Sequence, residues 1–280
     1  MAMADCTDEP LPVPHTMRWS GHSDVGRFRK NNEDSFLGLA FNGHESQYLG
    51  KTGQASLHDY DFVFAVSDGM GGEAAGEFAS KITVEKTTRL LPRSFRQSAT
   101  GLSSGFSDVL EELFTQIHRA LTYLSNSYEE CRKMGATLSL AWFTPGWLYF
   151  GHIGDSRIYY LPANGPLKQL THDHTRPGYM RRQGRINERE ARAHPAKNSL
   201  QQSLGAGFQF LEPQIGAVGC QPGDRFLICS DGLIDGIWDH RIEDALREGR
   251  GEAFATELVT EAVKASGRDN VTAMVIDISA

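Results

Sequence analysis

Six acids in this chain could act together. Glu33, Asp34, Asp68, Asp155, Asp231 and Asp269 each stand at the boundary of an apolar run and are flanked by small residues. Strands of one sheet system bring such ends to one place. Ionised carboxylates gathered there repel one another and prefer cations or hydrogen-bond donors to apolar neighbours. A ligand set of oxygens, without histidine or thiolate, selects hard divalent ions such as Mg2+ or Mn2+ over zinc. Two ions bridged by an aspartate sit roughly 3.5 to 4 Å apart, acidify a shared water and neutralise phosphate oxygens. The chemistry implied is phosphate-ester hydrolysis without a covalent enzyme intermediate.

The elements that must position these acids are strands first. Phe62 to Val66 is a short apolar run with β-branched and aromatic members, read as a strand buried on both faces. Gly69, Gly71 and Gly72 are expected to end it, so that Asp68 is delivered to a tight turn with main-chain oxygens accessible. Ser230-Asp231-Gly232 follows the strand Arg225 to Cys229 in the same design. Ala136 to Phe143, Trp147 to Ile153 and Arg157 to Leu161 read as consecutive strands, with Gly154-Asp155-Ser156 between the last two. Asp34 and Asp269 precede strands from Phe36 to Phe41 and from Val271 to Ile278. Helices are expected over Glu73 to Leu91, stopped by Pro92, along the stripe Val109, Leu113, Ile117, Leu121 and Leu124, and around Phe254 to Val263. Thr171 to Thr175, rich in histidine and aspartate, reads as a loop that holds no ligand, because only a regular strand would aim its alternate residues one way. Arg176 to Leu204 is polar and basic, with short helical stretches, and reads as a surface flap.

Composition excludes several classes. Across 280 residues, 35 acidic against 28 basic residues give a net charge of -7, so no clustered basic footprint for nucleic acid is expected. Four widely spaced cysteines without a C-x-x-C pair suggest neither a zinc ribbon nor a disulfide framework, and a reducing cytoplasm fits them. Residues 1–18 read as a loose acidic, proline-rich tail without a signal peptide, and residues 19–280 as one domain with a polar insertion over residues 43–61. The long uncharged span Met134 to Gly154 carries Thr144-Pro145-Gly146 at its middle and reads as a hairpin of core strands, so no membrane segment is expected. Gly50-Lys51-Thr52 is not a phosphate-binding loop, since Glu45 stands where that pattern needs glycine. A nucleophilic-cysteine phosphatase loop is also absent, because Cys220 and Arg225 are one residue too close.

Seven motifs in order carry a resemblance. They are D-x-G-x-x-R-x-x-N-E-D at Asp24 to Asp34, V-S-D-G-M-G-G at Val66 to Gly72, and M-G-A-T at Met134 to Thr137. G-D-S-R at Gly154 to Arg157, T-H-D-H-T at Thr171 to Thr175, S-D-G-L at Ser230 to Leu233 and G-R-D-N-V-T at Gly267 to Thr272 complete the set. Across roughly Trp19 to Ser279 the chain resembles the metal-dependent serine/threonine phosphatases of the protein phosphatase 2C family. The resemblance implies an α+β fold, a four-layer αββα sandwich of two antiparallel β-sheets flanked by helices, with the metals at one end. It implies that Asp68 bridges two Mg2+ or Mn2+ ions, that the Gly69 carbonyl binds one of them, and that Asp231 and Asp269 complete the other. Glu33 and Asp34 would hold the second ion directly or through its water, and Asp155 with Asp231 a weaker third ion. Arg29 would clamp the substrate phosphate, a task suited to a guanidinium fork.

Met70 stands where the animal enzymes carry a histidine implicated in protonating the leaving group. The bacterial type shares methionine, so no side chain is assigned as general acid. The implied activity is removal of phosphate from phosphoserine and phosphothreonine in phosphoproteins by a monomeric, cytoplasmic enzyme that opposes a bacterial protein kinase. The alternatives are a phosphatase dedicated to one regulatory protein and a catalytically silent phosphoprotein-binding module.

Overall fold

A computed structural model describes residues 16–99, 105–249 and 251–279. The chain begins with β1 (Thr16–Asp24) and β2 (Asp34–Phe41), then the short β3 (Ser46–Tyr48) and β4 (Thr52–Ser56), and the long β5 (Asp61–Met70). Two helices follow, α1 (Glu73–Ala99) and α2 (Phe106–Ser127). The strands β6 (Gly135–Ala136), β7 (Leu138–Thr144), β8 (Trp147–Ile153), β9 (Arg157–Leu161) and β10 (Lys168–Gln169) come next. Helices α3 (Arg176–Arg182) and α4 (Glu188–Arg192) lead to β11 (Leu204–Gly205), β12 (Gln214–Gly219) and β13 (Arg225–Cys229). The chain closes with α5 (Asp231–Gly236), α6 (Asp239–Glu248), α7 (Phe254–Ala265) and β14 (Val271–Ser279).

All strand pairs are antiparallel and fall into two sheets. One runs β10-β9-β13-β14-β1-β4, and the other contains β3, β2, β5, β7, β8 and β12, with β6 and β11 attached at the end of β5. Three apolar layers follow from this arrangement. The α1–α2 pair covers one sheet through Leu113, Phe114 and Ile117. The facing sheets bury Phe62, Phe64, Phe143 and Phe226 between them, and α5 to α7 cover the other sheet through Leu246, Leu258 and Val259. The expected four-layer αββα sandwich is the fold observed.

Several elements differ from the expectations. β5 does not stop at Asp68: it pairs with β7 over Phe62 to Val66 and, past a break at Thr137, with β6 at Gly69 and Met70. Backbone turning starts only at Gly71 and Gly72, with φ of 128° and 94°. Pro92 lies inside α1 and does not stop it, because losing one N–H removes one helical bond and packing of the α1 face on the sheet retains the rest. Residues 16–18, assigned to the tail, open β1, where Met17 is fully buried between Ile278 and Ala55. The polar insertion over residues 43–61 supplies an edge strand to each sheet, β3 on β2 and β4 on β1. Asp231 opens a helix and so does not repeat the Asp68 design; an acid there is favoured by the unpaired amides of the first turn.

Phe143 sits at the centre of the sandwich, with its ring 6.0 Å from Phe64 and 5.2 Å from Phe226 on the opposite sheet, both edge-on. Phe143→Ala should therefore lower unfolding free energy in a denaturant titration by about 3 to 5 kcal/mol. A loss below about 1 kcal/mol would show that the two sheets do not depend on this contact.

Candidate active site

Both sheets feed one end of the sandwich. Asp34 opens β2 and lies opposite Asp68 in the β2–β5 register. The backbone of Asp68 is clamped by one residue: its N–H donates to Thr137 Oγ1 at 3.0 Å, and its carbonyl accepts from the Thr137 N–H at 2.8 Å. From the other sheet come Asp231, at the head of α5 after β13, and Asp269, just before β14. Asp155 sits in the turn between β8 of one sheet and β9 of the other. Arg29 and Glu33 belong to the loop joining β1 to β2.

Asn270 holds that loop in place. Its side-chain carbonyl accepts from the Glu33 N–H at 2.8 Å, and its amide donates to the Val25 and Asn31 carbonyls at 2.9 and 3.0 Å. Gly69 is fixed by crowding: its N–H donates to the Glu33 carbonyl at 3.1 Å, and a Cβ there would stand 1.9 Å from the Gly76 carbonyl oxygen. Only glycine fits where β5 passes under the start of α1.

Glu33, Asp68, Gly69, Asp155, Asp231 and Asp269 line a cleft of about 590 Å³, with Arg29 at its edge. Asp34 is buried beside them, and its Oδ2 accepts from Ser230 Oγ and Thr272 Oγ1, each at 2.7 Å. Arg29 is tethered by the acids it faces, 2.6 Å from Asp269 and 3.7 Å from Glu33. The carboxylates stand around the cleft without closing on one point. Among the described residues, no three acidic, histidine or cysteine side chains form a group tight enough, as they stand, to enclose an ion.

Burial dominates the electrostatics. It pushes Asp68 well above the usual carboxylate range, and the charges of Asp34, Asp231, Asp155 and Asp269 push in the same direction. Asp231 is raised likewise, by burial and then by Asp155 and Asp269. Burial raises Asp155 to about 7, with Asp173 adding to the shift and Arg157 opposing it. Asp34 is raised to about 6 by burial, against the two hydroxyl bonds it accepts. Asp34 Oδ1 and Asp231 Oδ1 are buried and have no hydrogen-bond partner among the described residues. Hard oxygen donors that repel one another and include unsatisfied buried oxygens fit a divalent cation of the Mg2+ or Mn2+ kind.

The protein phosphatase 2C family model matches residues 49–273. The chain belongs to the protein phosphatase 2C family. It is 32% identical over 269 residues to the serine/threonine protein phosphatase PstP of Mycobacterium tuberculosis, across 95% of this chain and 46% of that protein. The chain thus spans about half the length of that curated relative. It is 30% identical to the serine/threonine phosphatase stp of Listeria welshimeri, across 91% of this chain and 93% of that one. The crystal structure of the catalytic domain of PstP in complex with two manganese ions superposes with a TM-score of 0.71 at 30% identity, covering 95% of this chain and 99% of that chain.

Against this protein phosphatase 2C background, the structure brings all the candidate acids to one end of the sandwich. Thr171 to Thr175 forms a loop, as expected, in which Asp173 is engaged by Arg157 through bonds of 2.8 and 2.6 Å. Sequence reading missed the supporting residues. Asn270 lies within G-R-D-N and Thr137 within M-G-A-T, but the sequence by itself assigns neither side chain a role. Asn198, Leu200 and Phe208 also wall the cleft, and their stretch of sequence carries no recognisable signal.

Two stability measurements test this geometry. Asp68→Asn should raise the metal-free melting temperature by about 2 to 4 °C, because it removes one buried charge from a repelling set; a lower temperature would mean that the repulsion is not felt. Gly69→Ala should lower it by at least a similar amount, since the new methyl meets backbone and not a movable side chain.

Proposed function

We propose that this chain is a divalent-metal-dependent phosphatase acting on phosphoserine and phosphothreonine in proteins. The observation that carries the reading is the cleft itself, where carboxylates from both sheets face one arginine and two buried carboxylate oxygens in or beside it have no hydrogen-bond partner among the described residues. Its relatives are named as serine/threonine protein phosphatases, and one was crystallised with two manganese ions.

In this reading Asp68, Asp231 and Asp269, with the Gly69 carbonyl, hold two ions, Glu33 and Asp34 complete one of them, and Asp155 with Asp231 holds a weaker third. Bound there, Mg2+ or Mn2+ would supply an acidified water and positive charge for the phosphate oxygens. The protein does the positioning. Thr137 fixes the main chain of Asp68 from both sides, Ser230 and Thr272 orient Asp34, and Asn270 sets the height of the Glu33 loop. Arg29, half exposed and oriented by Asp269, stands ready to clamp a phosphate. Met70 lines the cleft and has no proton to give.

We further read the enzyme as monomeric, located in the cytoplasm and opposing a bacterial serine/threonine kinase. Cys131, Cys220 and Cys229 are free thiols, which suits a reducing compartment. No helix among the described residues is long and apolar enough to cross a membrane.

Hydrolysis of a phosphothreonine peptide and a small aryl phosphate should appear with Mn2+ or Mg2+ and vanish with chelator. Asp231→Asn should reduce turnover by at least about 100-fold, the scale expected when a group stabilising the transition state is lost. Turnover that survives chelation, or a fully active Asp231→Asn, would overturn the mechanism. Binding of phosphopeptides with no turnover of either ester would favour a silent module.

A further inference from the structure

Beside the cleft lies a second open groove of about 770 Å³, between the C-terminal half of α2 and the 207–211 loop. Phe208 lines both, so the two adjoin across a single side chain.

The wall between them is held deliberately. Gly205, Ala206 and Gly207 all have positive φ, at 69°, 52° and 79°. For Ala206 that conformation is costly and persists only when its surroundings enforce it. His118 on α2 provides part of the constraint: its Nδ1 accepts from the Gly205 N–H at 3.1 Å, and the Phe208 N–H donates to the Gly205 carbonyl at 3.1 Å. The Ala206 N–H donates to the Met134 carbonyl at 2.7 Å. Phe208 is therefore anchored to α2 and to the end of β6 and is not a loose loop residue.

Tyr123 lines the groove and is two-thirds exposed. Among the described residues of the lining Arg119 is the one fully charged side chain, and none is acidic. Unlike the acidic cleft, this surface suits a partner with apolar and negatively charged side chains.

We propose that the groove receives the stretch of a phosphoprotein substrate that flanks its phosphorylated residue. The Tyr123 face takes an apolar side chain of that stretch and Arg119 an acidic one. This inference rests on the phosphatase reading of the cleft. A substrate whose phosphate sits at Arg29 would run past Phe208 into the groove, so long and truncated substrates should be treated differently.

The test uses the full chain with Mn2+ and three substrates: a small aryl phosphate, a three-residue phosphothreonine peptide, and a long one with acidic and aromatic residues on both sides of the phosphothreonine. The wild type should favour the long peptide over the short one in kcat/KM by about tenfold or more, the effect of a 1.4 kcal/mol contact. Tyr123→Ala and Arg119→Glu should each cut that ratio several-fold, mainly through KM. The aryl phosphate normalises for correct folding and an intact cleft. An unchanged ratio in both variants, or no preference for the long peptide in the wild type, overturns the groove and leaves the phosphatase reading standing. No hydrolysis of any ester by the wild type overturns both.

Discussion

Mutual repulsion among buried carboxylates is the constraint on which this structure turns. Asp34, Asp68, Asp155 and Asp231 are held where burial and one another's charges disfavour ionisation. Such a set would separate if the chain allowed it. It does not, because each acid is attached to an element whose position is decided elsewhere. Asp34 opens one strand of one sheet and Asp68 lies opposite it on the neighbouring strand, Asp231 and Asp269 flank neighbouring strands of the other, and Asp155 sits in the turn that crosses between them. The apolar layer between the sheets keeps these ends facing each other, so core packing maintains an arrangement that local electrostatics opposes. This is the expected balance between a stable scaffold and a strained functional site.

A second network ties the cleft to the flap. Arg157, two residues from Asp155, is buried, engages Asp173 through two bonds and donates to the Tyr159 hydroxyl at 2.7 Å. Tyr159 donates to Asp239 at 2.8 Å, and Asp239 in turn receives Arg181 from α3. Lys197 pairs with Asp235 at 2.6 Å, and Arg192 lies over the ring of Trp238. Buried ion pairs contribute little net stability, because desolvation offsets their attraction. Their directional bonds do fix geometry, and here they register α3 and the end of the flap against α5 and α6. Asp155 feels both ends of this network, being raised by Asp173 and lowered by Arg157.

The sequence made the layers and the acids legible because both leave local marks. Apolar runs locate the core strands, and the spacing along α2 fixes its buried stripe. What escaped depends on partners distant in sequence. The last part of β5 is a strand because β6, only two residues long, pairs with it, and two residues carry no periodicity. β1 alternates unevenly, and Met17 is buried through neighbours on both flanking strands. Pro92 was read by its local rule, which tertiary packing of α1 overrode. Thr137 and Asn270 lay inside quoted motifs, yet their role is hydrogen bonding to main chain far away, which no residue type announces. Phe208 depends on a run of left-handed residues that Gly205-Ala206-Gly207 permits without revealing.

The charge balance of the cleft has a consequence for binding as well as for chemistry. Among its lining residues Arg29 is the one basic side chain, and Asp269 and Glu33 already engage it. A phosphate dianion entering this cleft alone would meet five carboxylates and one partly neutralised guanidinium. Coulomb repulsion at such distances, even at the effective dielectric of a protein surface, amounts to several kcal/mol. The same acids that exclude an anion attract divalent cations, and compensating cations turn the cleft from anion-repelling to anion-receiving. On the proposed reading, metal dependence would thus enter substrate affinity before any bond is broken, and Arg29 would be free to hold phosphate once positive charge competes for Asp269.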